Sequence, residues 1–189
     1  MFSTSLVYHA FAHRYNADMP ISLNLKDNEY EYKGVKEVRE VARGIVLDDK
    51  GNVAIHTVSR DDIFCKQTYY ETPGGGVDKG ETYEQALLRE CDEELGYEVE
   101  IIAYVGEVND YYNLIGRENH NRYYLCKLKN KRGVHMVSKG DSFIKKTEYL
   151  PFDEVISLFE KQSDHLVAGL VKRRELPIIK EAKRIFFSL

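Results

Sequence analysis

Residues 75–97 read GGVDKGETYEQALLRECDEELGY, and this stretch decides how the chain is understood. Thr82 followed three residues later by Gln85 is a capping box, which predicts a helix starting there. Gly96 stands where a left-handed C′ residue would end it, so the helix runs over 82–95. At about 100° per residue, Leu87, Leu88, Cys91 and Leu95 form one apolar stripe that can face a core. Glu90, Glu93 and Glu94 share a second arc by the i, i+3, i+4 rule. Three carboxylates on one face repel each other, and the C-terminal half of a helix favours cations. A bound divalent cation turns that repulsion into coordination, and an all-oxygen donor set suits Mg²⁺ or Mn²⁺. Ala86 and Tyr83 border the arc, and the small Ala86 leaves room beside Glu90. Just upstream, Gly74, Gly75 and Gly76 let backbone approach a ligand with no Cβ in the way. The loop lacks the Gly-Lys-Ser/Thr ending of a Walker A sequence. On the helix alone, a solvated acidic face after a glycine turn is the commoner explanation.

The spacing changes that balance. The segment resembles the signature of the Nudix hydrolase family, Gly-x5-Glu-x7-Arg-Glu-U-x-Glu-Glu-x-Gly-U, where U is a bulky apolar residue. Gly75, Glu81, Arg89, Glu90, Glu93, Glu94 and Gly96 hold all of its fixed positions. A chance match at these is roughly 10⁻⁸ per starting point at average residue usage. The U positions carry Cys91 and Tyr97; Cys91 is smaller than the usual aliphatic residue, a departure that concerns packing. Glu71-Thr72-Pro73-Gly74 is similar to the family's lead-in to the signature. The segment from Glu148 to Glu154 is similar to the strand-to-helix passage that follows in many members. The resemblance covers roughly residues 38–160.

The resemblance implies an α/β (α+β) fold, an α/β/α sandwich around a mixed sheet. It further implies a Mg²⁺- (or Mn²⁺-) dependent pyrophosphohydrolase that attacks, with water, a nucleoside diphosphate linked to another group. Carried over by position, Glu93, Glu94 and Glu90 are metal ligands, with the carbonyl of Gly74 as a further one. Glu90 is the leading choice of general base. Arg89 and Glu81 complete the catalytic signature, Glu81 holding Arg89 as an orienting pair. Two other readings stand beside this one. One is a ligand-binding regulator that uses the fold without hydrolysis, the other an RNA-end pyrophosphohydrolase, which needs a basic groove.

Outward from the signature, strands are expected over 41–47, 52–58, 99–108 and 122–128, and helices over 151–161 and 164–176. Pro177 fits the first turn of a separate last helix ending near Phe186. Residues 1–36 read as an extension and 37–189 as the main domain with its C-terminal helices. In the extension, Ile21, Leu23 and Leu25 alternate with polar residues, Asp27-Asn28 turns, and Tyr30 and Tyr32 alternate again, which predicts a β-hairpin. A hairpin is marginal alone, so its apolar face must pack on its own domain or on a second copy; a homodimer through residues 1–36 is the expectation. Residues 5–14 fit a short helix or a strand.

The composition agrees with a single soluble domain. The 189 residues are 43% hydrophobic and 31% charged, which excludes a disordered or collagen-like chain. The longest apolar run, 101–105, is too short to span a bilayer. A balance of 31 acidic to 27 basic residues argues against a dedicated nucleic-acid binder. Cys65, Cys91 and Cys126 form no Cys-x-x-Cys pair, so neither a disulfide framework nor a zinc knuckle is indicated. No basic region precedes an apolar run at the N-terminus, so a cytoplasmic protein is expected; a small nucleotide substrate is what the resemblance implies. Arg117, Arg122 and Tyr112 are candidate substrate contacts, with His120 close by. Glu148 and Asp141 are candidates for an additional acid from a loop. His9 and His13 have ligand spacing without a third ligand. The tyrosine pairs 69–70, 111–112 and 123–124 are more ordinary as strand formers than as base-stacking groups. The run Lys127, Lys129, Lys131 and Arg132 fits a solvated strand end. The absence of proline between Pro73 and Pro151 speaks against ADP-ribose-type specificity, as the resemblance would have it.

Overall fold

In the computed structural model, the described residues are 19–134 and 141–189, with the side chain of Asp141 not among them. Residues 5–14, His9, His13 and the acid expected from Asp141 therefore lie outside what is described. The elements run β1 (Ile21–Asn24), β2 (Glu37–Leu47), β3 (Val53–Asp62), β4 (Cys65–Glu71), β5 (Gly74–Gly76) and α1 (Tyr83–Leu95). They continue as β6 (Tyr97–Tyr112), β7 (Arg117–Lys131), a 3-10 turn (Asp141–Phe143), β8 (Ile144–Leu150), α2 (Phe152–Lys161) and α3 (Leu166–Phe186).

One mixed sheet runs in the order β1-β6-β7-β2-β3-β4, with β5 added to β2 and β8 to β3. The pairs β1–β6 and β2–β7 are parallel, and the remaining pairs are antiparallel. Period-2 alternation along β2 divides its side chains between two cores. Ala42 and Val46 face α1 with Leu87, Cys91 and Leu95. Ile45 and Leu47 face α2 and α3 with Phe159, Ile178 and Ile179. Helices thus cover both faces, as expected for the sandwich. Each fully buried aliphatic side chain contributes about 1.5–3 kcal/mol. Among the described residues no helix is long and apolar enough to cross a membrane.

Helix α1 has the termini its sequence predicts. Thr82 and Gln85 cap each other, and Gly96 is left-handed at φ 70°. Its core stripe is corrected at one place: Leu88 is exposed, and Ala86 takes its place against the sheet. The β2 backbone comes close at Gly44, where an added Cβ would lie 3.2 Å from Leu87 Cδ1 and 3.8 Å from Cys91 Sγ. The small Cys91 suits that close approach.

The predicted hairpin does not form. Ile21–Asn24 joins the sheet edge in parallel with Gly106–Asn109 of β6, and residues 28–36 form no strand. The turn at Asp27 does form, since its carboxylate accepts the N–H groups of Glu29 and Tyr30 at 2.8 and 3.2 Å. The same carboxylate accepts the N–H of Asn113 at 2.8 Å, which docks the turn on the β6–β7 connection instead of folding it back. Ile21, Leu23, Leu25 and Tyr30 pack on the large core of their own chain, while Tyr32 of the same expected face stays exposed. The C-terminal helices also differ from expectation. Pro177 sits inside a continuous α3, which removes one backbone donor. Burial of Ile178, Ile179 and Ala182 carries the helix past it.

Candidate active site

Three glycines of β5 hold the carboxylate helix against the sheet. The N–H of Gly74 donates to Glu94 Oε2 at 2.9 Å. A Cβ on Gly75 would fall 2.5 Å from Glu90 Oε1, so only glycine admits Glu90 there. The carbonyl of Gly76 accepts Arg89 Nη2 at 2.9 Å. Gly74 itself has φ +131° and its Cβ would meet the Ala42 carbonyl oxygen at 2.2 Å, which makes glycine obligatory.

Arg89 organises the acids around it. It grips Glu81 with Nε and Nη2, at 2.9 and 3.0 Å, and reaches Glu90 Oε1 with Nη1 at 2.8 Å. Glu93 Oε2 lies 3.6 Å from the same Nη1. The hydrogen bonds from Arg89 hold the Glu81 carboxyl below its ordinary range. On the other side, His56 bridges Thr147 Oγ1 at 2.9 Å and Glu94 Oε2 at 3.2 Å. Burial first, opposed by Arg89 but reinforced by the charges of Glu94 and Glu93, pushes Glu90 up to about 7. One guanidinium therefore serves Glu81, Glu90 and Glu93, while Glu94 faces a histidine and a backbone amide. This excess of negative oxygen fits a hard divalent cation. Among the described residues, no three His, Cys, Asp or Glu side chains already converge as a ligand set. The fit rests on the donor chemistry and the crowding.

These carboxylates line a cavity of about 580 Å³. Alternate residues of β2 and β3 supply its other walls, among them Arg39, Val41 and Arg43 from β2 and His56, Val58 and Arg60 from β3. At about 3.3 Å per residue, Arg60 lies roughly 13 Å along β3 from His56. There its guanidinium sits 4.8 Å from the ring centre of Phe64 and 5.3 Å from that of Phe143. The floor is a buried ion network. Arg43 and Arg174 share Glu71 Oε1 at 2.6 and 2.7 Å. Arg174 also reaches Glu175 Oε1 at 2.9 Å and Asp110 Oδ2 at 3.3 Å, and donates to the Tyr112 hydroxyl at 3.3 Å. Glu175 Oε2 accepts the N–H of Thr72 at 2.7 Å.

The sequence-predicted residues divide as follows. Gly74, Arg89, Glu90, Glu93 and Glu94 line the cavity, with Glu81 behind Arg89. Arg117 and Tyr112 line it too, though Arg117 is paired with Glu37 at 2.9 Å and Tyr112 is buried beside Arg174. Arg122 belongs elsewhere: it lies 4.1 Å over the Tyr83 ring and lines a second cavity with His120 and Glu40. Glu148 is not among the cavity's lining residues and pairs with Lys146 at 2.6 Å, next to Ile55 in register. Arg39, Arg43, His56, Arg60, Asn119 and Arg174 were not predicted. Arg39 and Arg60 fall in the parts of β2 and β3 that extend beyond the expected strands 41–47 and 52–58. Continuing the period-2 pattern outward would have placed both on the cavity face.

The NUDIX domain family model matches residues 38–170. An 8-oxo-dGTP diphosphatase of Haemophilus influenzae is 41% identical over 61 residues, 32% of this chain and 43% of that protein. An RNA pyrophosphohydrolase of Wolbachia pipientis subsp. Culex pipiens is 40% identical over 80 residues, 42% of this chain and 46% of that protein. The chain thus spans less than half the length of these curated relatives. Among solved structures, the E. coli ORF135 protein superposes with a TM-score of 0.56 at 19% identity, over 79% of this chain and 91% of that one. A NUDIX hydrolase from Nitrosomonas europaea gives 0.56 at 13%, over 79% and 88%. These likenesses establish the shared fold.

Proposed function

The chain belongs to the NUDIX family, and from that premise we propose that it is a divalent-metal-dependent pyrophosphohydrolase acting on a nucleotide or nucleotide derivative. The observation that carries the reading is that Glu90, Glu93 and Glu94 line one cavity, with a single guanidinium shared by Glu90 and Glu93 and only a histidine and a backbone amide on Glu94. Glu93, Glu94 and Glu90 would hold Mg²⁺ or Mn²⁺, with Gly74 beside them. A cation bound there neutralises charge on phosphate oxygens and lowers the pKa of bound water. The residues of the chain do the rest. Arg89 fixes the rotamers of Glu90 and Glu81 and ties both to β5 through the Gly76 carbonyl. His56 orients Glu94 from β3. Glu90, buried against Gly75, is the carboxylate placed to take a proton from an attacking water.

An RNA-end pyrophosphohydrolase is the second reading, favoured by the named relative that matches over 80 residues. Both readings are tested by one panel with Mg²⁺: nucleoside triphosphates including 8-oxo-dGTP, dinucleoside polyphosphates, nucleotide sugars and a 5′-triphosphorylated RNA. Release of pyrophosphate, orthophosphate or a nucleoside monophosphate from any of them supports hydrolysis. Binding without turnover across the panel would favour a non-catalytic ligand-binding regulator.

A further inference from the structure

Six arginines line the large cavity, and five of them are committed to protein groups. Arg43 and Arg174 bind Glu71, Arg60 binds Asp62, Arg89 binds Glu81, and Arg117 binds Glu37. Arg39 makes no hydrogen bond or ion pair among the described residues, although it lines the same cavity. Its guanidinium lies against β5, since a Cβ on Gly76 would come 3.0 Å from its Nη2 and 3.1 Å from its Nε. Gly76 is one residue from Gly75, which abuts Glu90, and two from Gly74, which binds Glu94. The free guanidinium is thus held within a few residues' rise of the carboxylates.

A second observation comes from the neighbouring strand. Asn119 of β7 is the register partner of Arg39. It is 4% exposed and lines the cavity, yet its side-chain amide bonds to no protein group among the described residues. Its amide opens onto the cavity, where water or a ligand can satisfy it. Strand neighbours are about 4.8 Å apart, so the two groups can meet one anion. Burial, then the positive charges of Arg43 and Arg117, push the pKa of Arg39 down, opposed by the charges of Glu90 and Glu71.

We infer that Arg39 and Asn119 form a phosphate-binding subsite beside the carboxylate cluster, gripping the part of a diphosphate that the cation site does not neutralise. The inference rests on the proposed function for the diphosphate as ligand. A guanidinium presents a fork matched to phosphate oxygens, and an asparagine N–H₂ adds a neutral donor.

The test is calorimetric titration of the full chain with imidodiphosphate, a diphosphate that resists hydrolysis, in the presence of Mg²⁺. Arg39→Gln is expected to weaken binding about ten- to hundredfold and Asn119→Ser about three- to tenfold. Arg39→Lys should recover part of the loss, because it keeps the charge without the fork. Lys50→Gln removes an equal charge from an exposed turn outside the cavity and should leave binding unchanged. Arg39→Gln binding as tightly as wild type, or Lys50→Gln weakening it as much, overturns the inference. So does failure of the wild-type protein to bind the probe. If the wild type binds it through Arg39 yet hydrolyses nothing in the panel, the subsite stands and the proposed activity falls. If the wild type hydrolyses and Arg39→Gln leaves KM unchanged, the activity stands and the subsite falls.

Discussion

Two charged clusters share one cavity and are built on opposite principles. At α1, Glu81 just before the helix and Glu90 and Glu93 on it share one guanidinium, that of Arg89, whose side chain is 28% exposed. On the floor, Arg43 and Arg174 meet Glu71, Glu175 and Asp110, with Arg174 2% and Glu175 0% exposed. The floor pairs each buried acid with at least one arginine by direct contact. The α1 cluster leaves Glu94 to a histidine and a backbone amide, and it crowds Glu90 until burial and neighbouring carboxylates push its pKa to about 7. A cluster whose charges are matched internally holds elements together. A cluster with surplus charge contributes less to the fold and, on the proposed function, would receive a cation.

The comparison is sharpest where it predicts different losses. Breaking the floor should affect folding most. Arg174→Met leaves Glu71, Glu175 and Asp110 short of a partner, which is destabilising by about 3–5 kcal/mol for a buried pair. A urea melt at neutral pH reads this directly, and a variant as stable as wild type would show that the network is not what docks α3. Breaking the surplus should affect activity instead. Glu93→Gln keeps shape and removes charge, so turnover on whichever nucleotide is cleaved should fall by at least about 10²-fold. Its melting temperature without Mg²⁺ should stay close to that of wild type, and stabilisation by added Mg²⁺ should shrink.

Arg89 lies between these extremes. Because its side chain is partly solvated, Arg89→Ala should lower stability by only about 1 kcal/mol while reducing activity strongly. The same pair carries a pH signature. The Glu81 carboxyl is held below its ordinary range by Arg89. Its contribution to stability is therefore complete above the unfolded value of about 4.3, and it is lost as pH falls through the lower folded value. Glu81→Gln should flatten that part of the acid limb in melting curves taken from pH 6 to 3. The smallest effect expected is at the helix start: Thr82→Ala should lower stability by about 1 kcal/mol through loss of the cap, with metal-dependent turnover retained.

What was legible in the chain alone follows from distance along it. The capping box at Thr82 and Gln85, the left-handed Gly96 and the arc of Glu90, Glu93 and Glu94 all lie within one helix. Helical geometry places residues three and four apart side by side whatever surrounds them. The glycines at 74–76 were legible as a place for close approach, but what approaches them, Ala42, Glu90 and Arg39, comes from other elements. Strand ends were less legible, since β2 extends to Glu37 by pairing with β7, remote in sequence, and β3 extends to Asp62 in a hairpin with β4 that lay outside the expected strands. That extension is what puts Arg39 and Arg60 on the cavity wall. The turn at Asp27 was readable from its own residues, but the partner of Ile21–Asn24 was not. A short amphipathic strand pairs equally well with its neighbour or with a distant edge, and the Asn113 amide decides which. The floor network was invisible for the same reason. Residues 43, 71, 110, 174 and 175 have no spacing in common, and only the closing of α3 over the sheet brings their charges within hydrogen-bond reach. Sequence alone thus determined the acidic helix, its caps and its arc of carboxylates, because those contacts are intrinsic to one element. Tertiary structure decided which arginines are spent on the fold and which one is left facing the cavity, because that depends on where every other charge comes to rest.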